Sequence, residues 1–117
     1  MNRIDLHIHS SCSDSSLDVA HIIALAREQH MQTISITDHD TFAAYKQLKH
    51  KELPCTVIKG IEISAYDQAA KRQVHILGYG FGEQTPHVDA LCEAAIRQRT
   101  SVSLWQIQQL IAHGYAI

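Results

Sequence analysis

Histidine is the commonest protein ligand for metal ions, and this chain carries nine of them in 117 residues. Two stand close together in Asp5-Leu6-His7-Ile8-His9. On a β-strand, residues two apart project to the same face, so His7 and His9 are spaced to present two imidazoles to one ion. One buried and one exposed histidine would fit the same string. A third histidine lies in Thr37-Asp38-His39-Asp40, directly behind a β-branched run that ends at Ile36. Ligands of parallel α/β folds gather at the carboxyl ends of the strands, where His9 and His39 are both expected. Asp38 and Asp40 are candidates to orient the imidazoles. For Asp40 a helix cap is the favoured reading.

Glu62 stands inside the apolar string Gly60-Ile61-Glu62-Ile63-Ser64. Burying a carboxylate costs several kcal/mol unless it is paired or holds a cation. Few basic residues lie near it in sequence, and a carboxylate can bridge two cations, so Glu62 is a candidate for the centre of a cluster; a buried salt bridge is the alternative. Val74-His75-Ile76-Leu77 places another ionisable group in an apolar run, which taken alone reads as a satisfied core histidine. Asp14, in the small polar stretch after the histidine pair, reads alone as a turn residue. Each of these signals is weak by itself, and their order along the chain carries the metal-site reading. Mixed imidazole and carboxylate donors suit a divalent metal such as manganese, zinc or iron better than calcium.

The elements that must position these residues alternate between short β-like runs and helices. Ile4 to Ile8 reads as a strand and Ser10 to Ser16 as a loop. Asp18 is placed to cap a helix whose apolar positions are Val19, Ile22, Ile23 and Ala26. Thr33 to Thr37 reads as a strand. A helix is expected to start at Asp40 or Thr41, run toward Lys51 and be broken by Pro54. Thr56 to Ile58 opens a strand that Gly60 to Ile63 is expected to continue; Ala65 to Arg72 reads as a turn and Gln73 to Phe81 as a strand. A long helix follows from Pro86 to near Gly114, a plausible C′ glycine. The resulting order, β-α-β-α-β-β-α, is an α/β pattern with a largely parallel sheet or part of a barrel.

Bulk composition narrows the function classes. A chain of 117 residues is at most one domain, and 45% hydrophobic with 19% charged residues is ordinary for a globular protein. A net charge of -2 argues against a broad electrostatic grip on duplex DNA. Cys12, Cys55 and Cys92 are odd in number and form no CxxC pair, which argues against a disulfide framework and for a reducing, cytoplasmic compartment. The first residues lack the apolar core of a signal peptide, and no stretch reaches the length of a membrane span.

The strings DLHIHSSCSD, ITDHD, GIEIS and VHILGYGF, in this order, resemble the PHP (polymerase and histidinol phosphatase) family over most of the chain. Within it the sequence is most similar to the small bacterial phosphoesterases acting on nucleoside 3′,5′-bisphosphates and RNA 5′ ends, rather than to the polymerase-attached or histidinol-phosphatase branches. The resemblance implies the N-terminal part of a distorted β/α barrel. It implies His7, His9, Asp14, His39, Glu62 and His75 as metal ligands, with Glu62 bridging. It also implies hydrolysis of phosphate esters of nucleotides or short single-stranded RNA by in-line attack of water, with His39, Glu62 and Asp14 as the catalytic residues. Arg97 and Arg99, on the last helix, are candidates to reach substrate phosphate; a solvated helix face accounts for them equally well.

Two departures stand out. Ser15 replaces the glycine that usually follows the loop aspartate, and the family's later histidine and Asp-x-His ligands would lie beyond Ile117. His87 and His113 match neither motif. Residues 1–117 are therefore expected to be a truncated single domain, with an inactive fragment or a non-catalytic module, open to homo-oligomerisation, as the rival reading. A metal-dependent amidohydrolase shares the His-x-His strand, but the ITDHD and GIEIS strings do not suit it.

Overall fold

The computed structural model describes residues 3–117. Its elements are β1 (Ile4–Ile8), α1 (Val19–Glu28), β2 (Thr33–Ile36), α2 (Ala43–Leu48), β3 (Thr56–Val57), β4 (Gly60–Asp67), β5 (Arg72–Tyr79) and α3 (Pro86–Ala112). β1, β2 and β3 form a parallel sheet in that order, and β4 and β5 form a separate antiparallel pair. This is a mixed α/β architecture in which the described strands do not close a barrel.

The parallel sheet is built around β2. Ile34 and Ile36 are fully buried and share one apolar cluster with Val19, Ile22 and Ala26 of α1 and with Ala44 and Leu48 of α2. The i, i+3, i+7 spacing of the α1 residues keeps them on one face. Asp18 caps α1 as expected, its carboxylate accepting from the His21 backbone N–H at 2.8 Å. That bond, followed by the His21 side chain, holds the Asp18 carboxyl below its ordinary value. A second cluster of Phe42, Ile61 and Cys92 joins β4 to α3, with Phe81 packed against it.

Four boundary expectations are corrected. Asp40 does not cap α2, which begins at Ala43; the Ala43 N–H is taken by the Thr41 hydroxyl at 3.1 Å, and Asp40 adopts a left-handed backbone with φ 55°. Thr56 to Ile63 is not one strand. The chain leaves the parallel sheet after Val57 and re-enters in the antiparallel pair at Gly60, so three strands stand where two were expected. Ala65, Tyr66 and Asp67 belong to β4 rather than to a turn: cross-strand pairing with Val74, Gln73 and Arg72 extends the ladder to the Asp67–Arg72 end. α2 also stops at Leu48, well before Pro54, where Lys49 turns extended and His50 takes φ 63°.

The seam between the two sheets is held by one side chain. The Tyr45 hydroxyl accepts from the backbone N–H groups of Ile36 (3.1 Å) and Gly60 (2.9 Å). It also lies 2.6 Å from the Ile36 carbonyl and 2.9 Å from the Ile58 carbonyl. A hydroxyl has one proton and two lone pairs, so this one is saturated by the backbone of β2 and by the crossing from β3 to β4. Burial, the largest cause, raises its ionisation above the ordinary tyrosine value. Just beyond the seam, Asp40 N–H donates to the Glu62 carbonyl (3.0 Å) and Glu62 N–H to the Asp38 carbonyl (3.2 Å), a short parallel bridge centred on His39 and Glu62.

α3 packs only at its start. From Ile96 onward every residue is exposed, including Leu104, Trp105, Ile107 and Ile111. Gly114, with φ 83°, ends the helix as the sequence suggested. No helix among the described residues is long and apolar enough to cross a membrane.

Candidate metal centre

Each element delivers its side chain by an ordinary local rule. In β1 the pairing slips by one residue between Asp5 and Ile8, an irregularity opposite β2. The Asp5 carboxylate accepts from the His7 N–H at 3.1 Å within that slip. His7 and His9 nevertheless emerge on one side, ring centroids 5.1 Å apart. His39 follows β2, its ring centroid 4.7 Å from that of His9, tilted to it, and 4.8 Å from that of His75, edge-on to it. In the antiparallel pair Glu62 stands opposite Leu77. His75 is therefore its diagonal neighbour on the same face, a distance long side chains readily bridge.

The result is a convergence on one buried carboxylate. Glu62 Oε2 lies 3.0 Å from His7 Nε2, 2.9 Å from His9 Nε2 and 3.8 Å from His39 Nε2, while Oε1 lies 3.0 Å from His75 Nδ1. Asp14 reaches in from the loop after β1, 3.3 Å from His9 Nδ1 and 3.5 Å from His39 Nε2. Desolvation pushes the Glu62 carboxyl upward, but the His7 hydrogen bond and the charges of His39, His7 and His9 together outweigh it and hold it below its ordinary value.

Hydrogen bonding alone does not account for this set. Three imidazole nitrogens face the single oxygen Oε2, which has two lone pairs. The Nδ1 atoms of His9 and His39 are buried and have no hydrogen-bond partner among the described residues; the approach of Asp14 to His9 is close but out of line for a bond. Divalent ions match the pattern. Two donors each about 2.1 Å from one ion stand roughly 3 Å apart, which is the spacing found. Three groups of donors lie within 4.8 Å of one another: His7, His9 and Glu62; His9, Asp14 and His39; His39, Glu62 and His75. His9, His39 and Glu62 are each shared between two groups. All six residues singled out in the sequence are thus brought together, and His75, which alone read as a core histidine, is half-exposed and faces the cluster.

The two aspartates flanking His39, both candidates to orient imidazoles although a cap was favoured for Asp40, find other partners. Asp38 is buried and accepts from Ser10 N–H, Ser10 Oγ and Ser13 Oγ, each at 2.6 Å. Asp40, also buried, accepts from the Ser64 N–H at 2.8 Å and pairs with the Arg99 guanidinium. Arg99 also donates to Ser64 Oγ at 3.2 Å. Of the two arginines on α3, Arg99 lines a cleft of about 1060 Å³ together with Asp14, His39 and His75. Arg97 does not: it is exposed beside Glu93, one helical turn away at 3.7 Å. His113 is also remote, its Nδ1 engaging the Gln109 carbonyl at 2.7 Å. The Asp38–serine network and the Tyr45 seam were missed in the sequence because serine and tyrosine carry no spacing signature for such roles.

Residues 5–101 match the PHP domain. The chain belongs to the PHP family. Among curated proteins it is similar to the phosphoribosyl 1,2-cyclic phosphate 1,2-diphosphodiesterase of Eggerthella lenta, 37% identical over 115 residues, which is 97% of this chain and 44% of that protein. It is also similar to a 5′-3′ exoribonuclease of Haemophilus influenzae, 31% identical over 106 residues, covering 87% of this chain and 38% of the relative. The PHP chain therefore spans less than half the length of these relatives. Among solved structures, an amidohydrolase from Chromobacterium violaceum, with sulfate and no metal bound, superposes with a TM-score of 0.80 at 25% identity over 98% of this chain and 40% of its own.

Proposed function

We propose that this PHP chain carries a large part of the active site of a divalent-metal-dependent phosphoesterase acting on nucleotides or short single-stranded RNA, and that residues 1–117 are one part of a single domain. The observation that carries the reading is the convergence of four histidines and Asp14 on the buried Glu62 carboxylate. The named activities of the Eggerthella and Haemophilus relatives, both hydrolyses of phosphate diesters, support the same chemistry. Three free cysteines are in keeping with a reducing, cytoplasmic setting.

His7, His9, Asp14, His39, Glu62 and His75 would hold the metal, with Glu62 shared between two donor groups. A divalent ion held there would supply Lewis-acid chemistry, acidifying water and offsetting charge on phosphoryl oxygens. The identity of the metal, manganese, zinc or iron, follows from the mixed donors only as a class. The chain's own residues do the rest. The Arg99 guanidinium uses one nitrogen on Asp40 and Ser64, which leaves further N–H donors for a phosphate oxygen entering the cleft. Asp14, half-exposed between His9 and His39, is placed to take a proton from attacking water.

The test is made on the complete protein. Glu62→Ala is expected to lose metal and at least a hundredfold in hydrolysis of nucleoside 3′,5′-bisphosphate and of 5′-phosphorylated oligoribonucleotide, on the order of a lost shared ligand. Wild-type rate and metal content in that variant would sink the assignment. An amide and ester panel run beside the phosphate substrates separates phosphoesterase from the amidohydrolase activity that the Chromobacterium structure's name carries.

A further inference from the structure

Asp38 is 1% exposed, and no cation pairs with it among the described residues. Its three bonds at 2.6 Å all come from one loop, 25 and 28 positions earlier in the chain. At 2.6 Å these bonds are short for N–H···O and O–H···O contacts, so this carboxyl group is a firm anchor. Ser10 extends the anchorage: its hydroxyl also accepts from Cys12 N–H at 3.1 Å, and its carbonyl takes the N–H groups of Ser13 and Ser15. Beside the approach of Asp14 to His39, the other side-chain hydrogen bond from this loop to a distant element among the described residues is Gln47 Nε2 to Cys12 Sγ at 3.3 Å, exposed and weak.

The placement of the anchor is specific. Ser10 directly follows His9, Ser13 directly precedes Asp14, and Asp38 directly precedes His39. Every member of the His9–Asp14–His39 donor group is therefore the chain neighbour of a residue in the clamp. His9 and His39 have a second support in β1 and in the bridge to Glu62. Asp14, in an irregular loop with a 63% exposed side chain, has only its neighbour Ser13, whose hydroxyl also lies 3.3 Å from Asp14 Oδ1.

We infer that Asp38 is a positioning residue: through Ser10 and Ser13 it sets Asp14 against His9 and His39 and thereby fixes the affinity of that donor group for a divalent ion. The inference rests on the metal reading of the cluster and adds to it a device that touches no ion. A residue that orients ligands from outside the coordination sphere is typically worth ten- to a hundredfold in metal affinity.

The experiment is titration of the complete protein with Mn²⁺, followed by electron paramagnetic resonance for free ion, beside thermal unfolding of the metal-free protein. Asp14→Ala defines the loss of the group, and Glu62→Ala the loss of the shared ligand. Asp38→Asn is expected to weaken one class of Mn²⁺ site at least tenfold, as Asp14→Ala does. Ser13→Ala removes a single hydroxyl and is expected to weaken the same class several-fold with little change in unfolding temperature, and Ser13→Thr to restore it. If Asp38→Asn does not fold, the Ser13 pair decides. A purely structural clamp would lower the unfolding temperature and leave Mn²⁺ affinity untouched, which overturns the inference. Loss of Mn²⁺ in Glu62→Ala with wild-type affinity in Asp38→Asn and Ser13→Ala overturns it while the metal reading stands. A folded wild-type chain that takes up no Mn²⁺ overturns both.

Discussion

Replacing Tyr45 by phenylalanine removes one oxygen from the seam and keeps the ring, which packs edge-on to Phe42 with centroids 6.3 Å apart. No cavity forms, so the cost is confined to hydrogen bonds. Two backbone donors, the N–H groups of Ile36 and Gly60, lose their acceptor. Both residues are buried, and Ile36 is 0% exposed. An unsatisfied buried donor costs about 1–3 kcal/mol. The hydroxyl proton reaches only one of the two nearby carbonyls, and a carbonyl tolerates the loss better than an N–H does. The two donors together cost about 2–6 kcal/mol, a large share of the roughly 5–15 kcal/mol that stabilises a typical domain. For a chain of this size that corresponds to about 8–24 °C in unfolding temperature. The control is Tyr79→Phe. Tyr79 also donates to a backbone carbonyl, that of Leu6 at 2.8 Å, but it is 41% exposed and water replaces the bond. Its cost is expected below about 1 kcal/mol. Urea unfolding followed by circular dichroism gives both values. A Tyr45→Phe variant within about 0.5 kcal/mol of wild type, or equal to Tyr79→Phe, would refute the claim that this hydroxyl joins the two sheets.

Gly60→Ala strikes the same crossing by crowding. A Cβ there would lie 2.3 Å from Ser35 Oγ, 3.0 Å from Thr37 Cγ2 and 3.1 Å from the Gly78 carbonyl. The serine can turn away but the β5 backbone cannot, so a loss of about 1–3 kcal/mol is expected, part of it recovered in Ser35→Ala/Gly60→Ala; full recovery would place the strain on the serine alone. Cys92 sets a pH limit. Burial first, then Asp40 and Asp89, push its thiol up to about 11 from an ordinary 9.0. The raised value means that the neutral thiol is favoured in the fold. Its contribution is complete below pH 9 and declines as pH rises through 9 toward 11. Urea midpoints should therefore fall more steeply over that window in wild type than in Cys92→Ala, and parallel profiles would contradict the shift.

Part of the cluster was legible in the sequence for a physical reason. Strand alternation fixes the side of His7 and His9 without knowledge of their partners, and a glutamate amid isoleucines demands a counterpart wherever the strand goes. The caps at Asp18 and Gly114 are local for the same reason. What escaped was long-range. Asp40 looks like a cap because aspartate before a helix normally is one, yet its partners are Ser64 and Arg99, 24 and 59 positions away. The break between β3 and β4 has no local signature either. Lys59, at the break, instead uses its ammonium on the Gly82 and Glu83 carbonyls while lying 4.4 Å over the Phe42 ring. α3 is the converse: its apolar residues lie all round the helix, a pattern that belongs to buried helices, and among the described residues little covers them.

The break between the sheets also explains why the cluster can form. In a continuous parallel sheet, β3 would carry the chain on past β2, and a glutamate on its flank would sit a full strand spacing from each neighbour, about 4.8 Å in the hydrogen-bonding direction. Leaving the sheet at Ile58 lets Gly60 return beneath the Tyr45 hydroxyl and lets Glu62 pair directly with the His39 segment. The antiparallel return of β5 then adds His75 from the other side. One carboxylate thereby meets histidines from β1, from the end of β2 and from β5, which no single sheet edge offers. Asp38 and Asp40 fit this construction as its two outward ties. Asp38 is turned toward the loop of Asp14, and Asp40, whose backbone is left-handed, toward Ser64 and Arg99. The segment Asp38-His39-Asp40 thus places one donor and holds its neighbours in the same stroke.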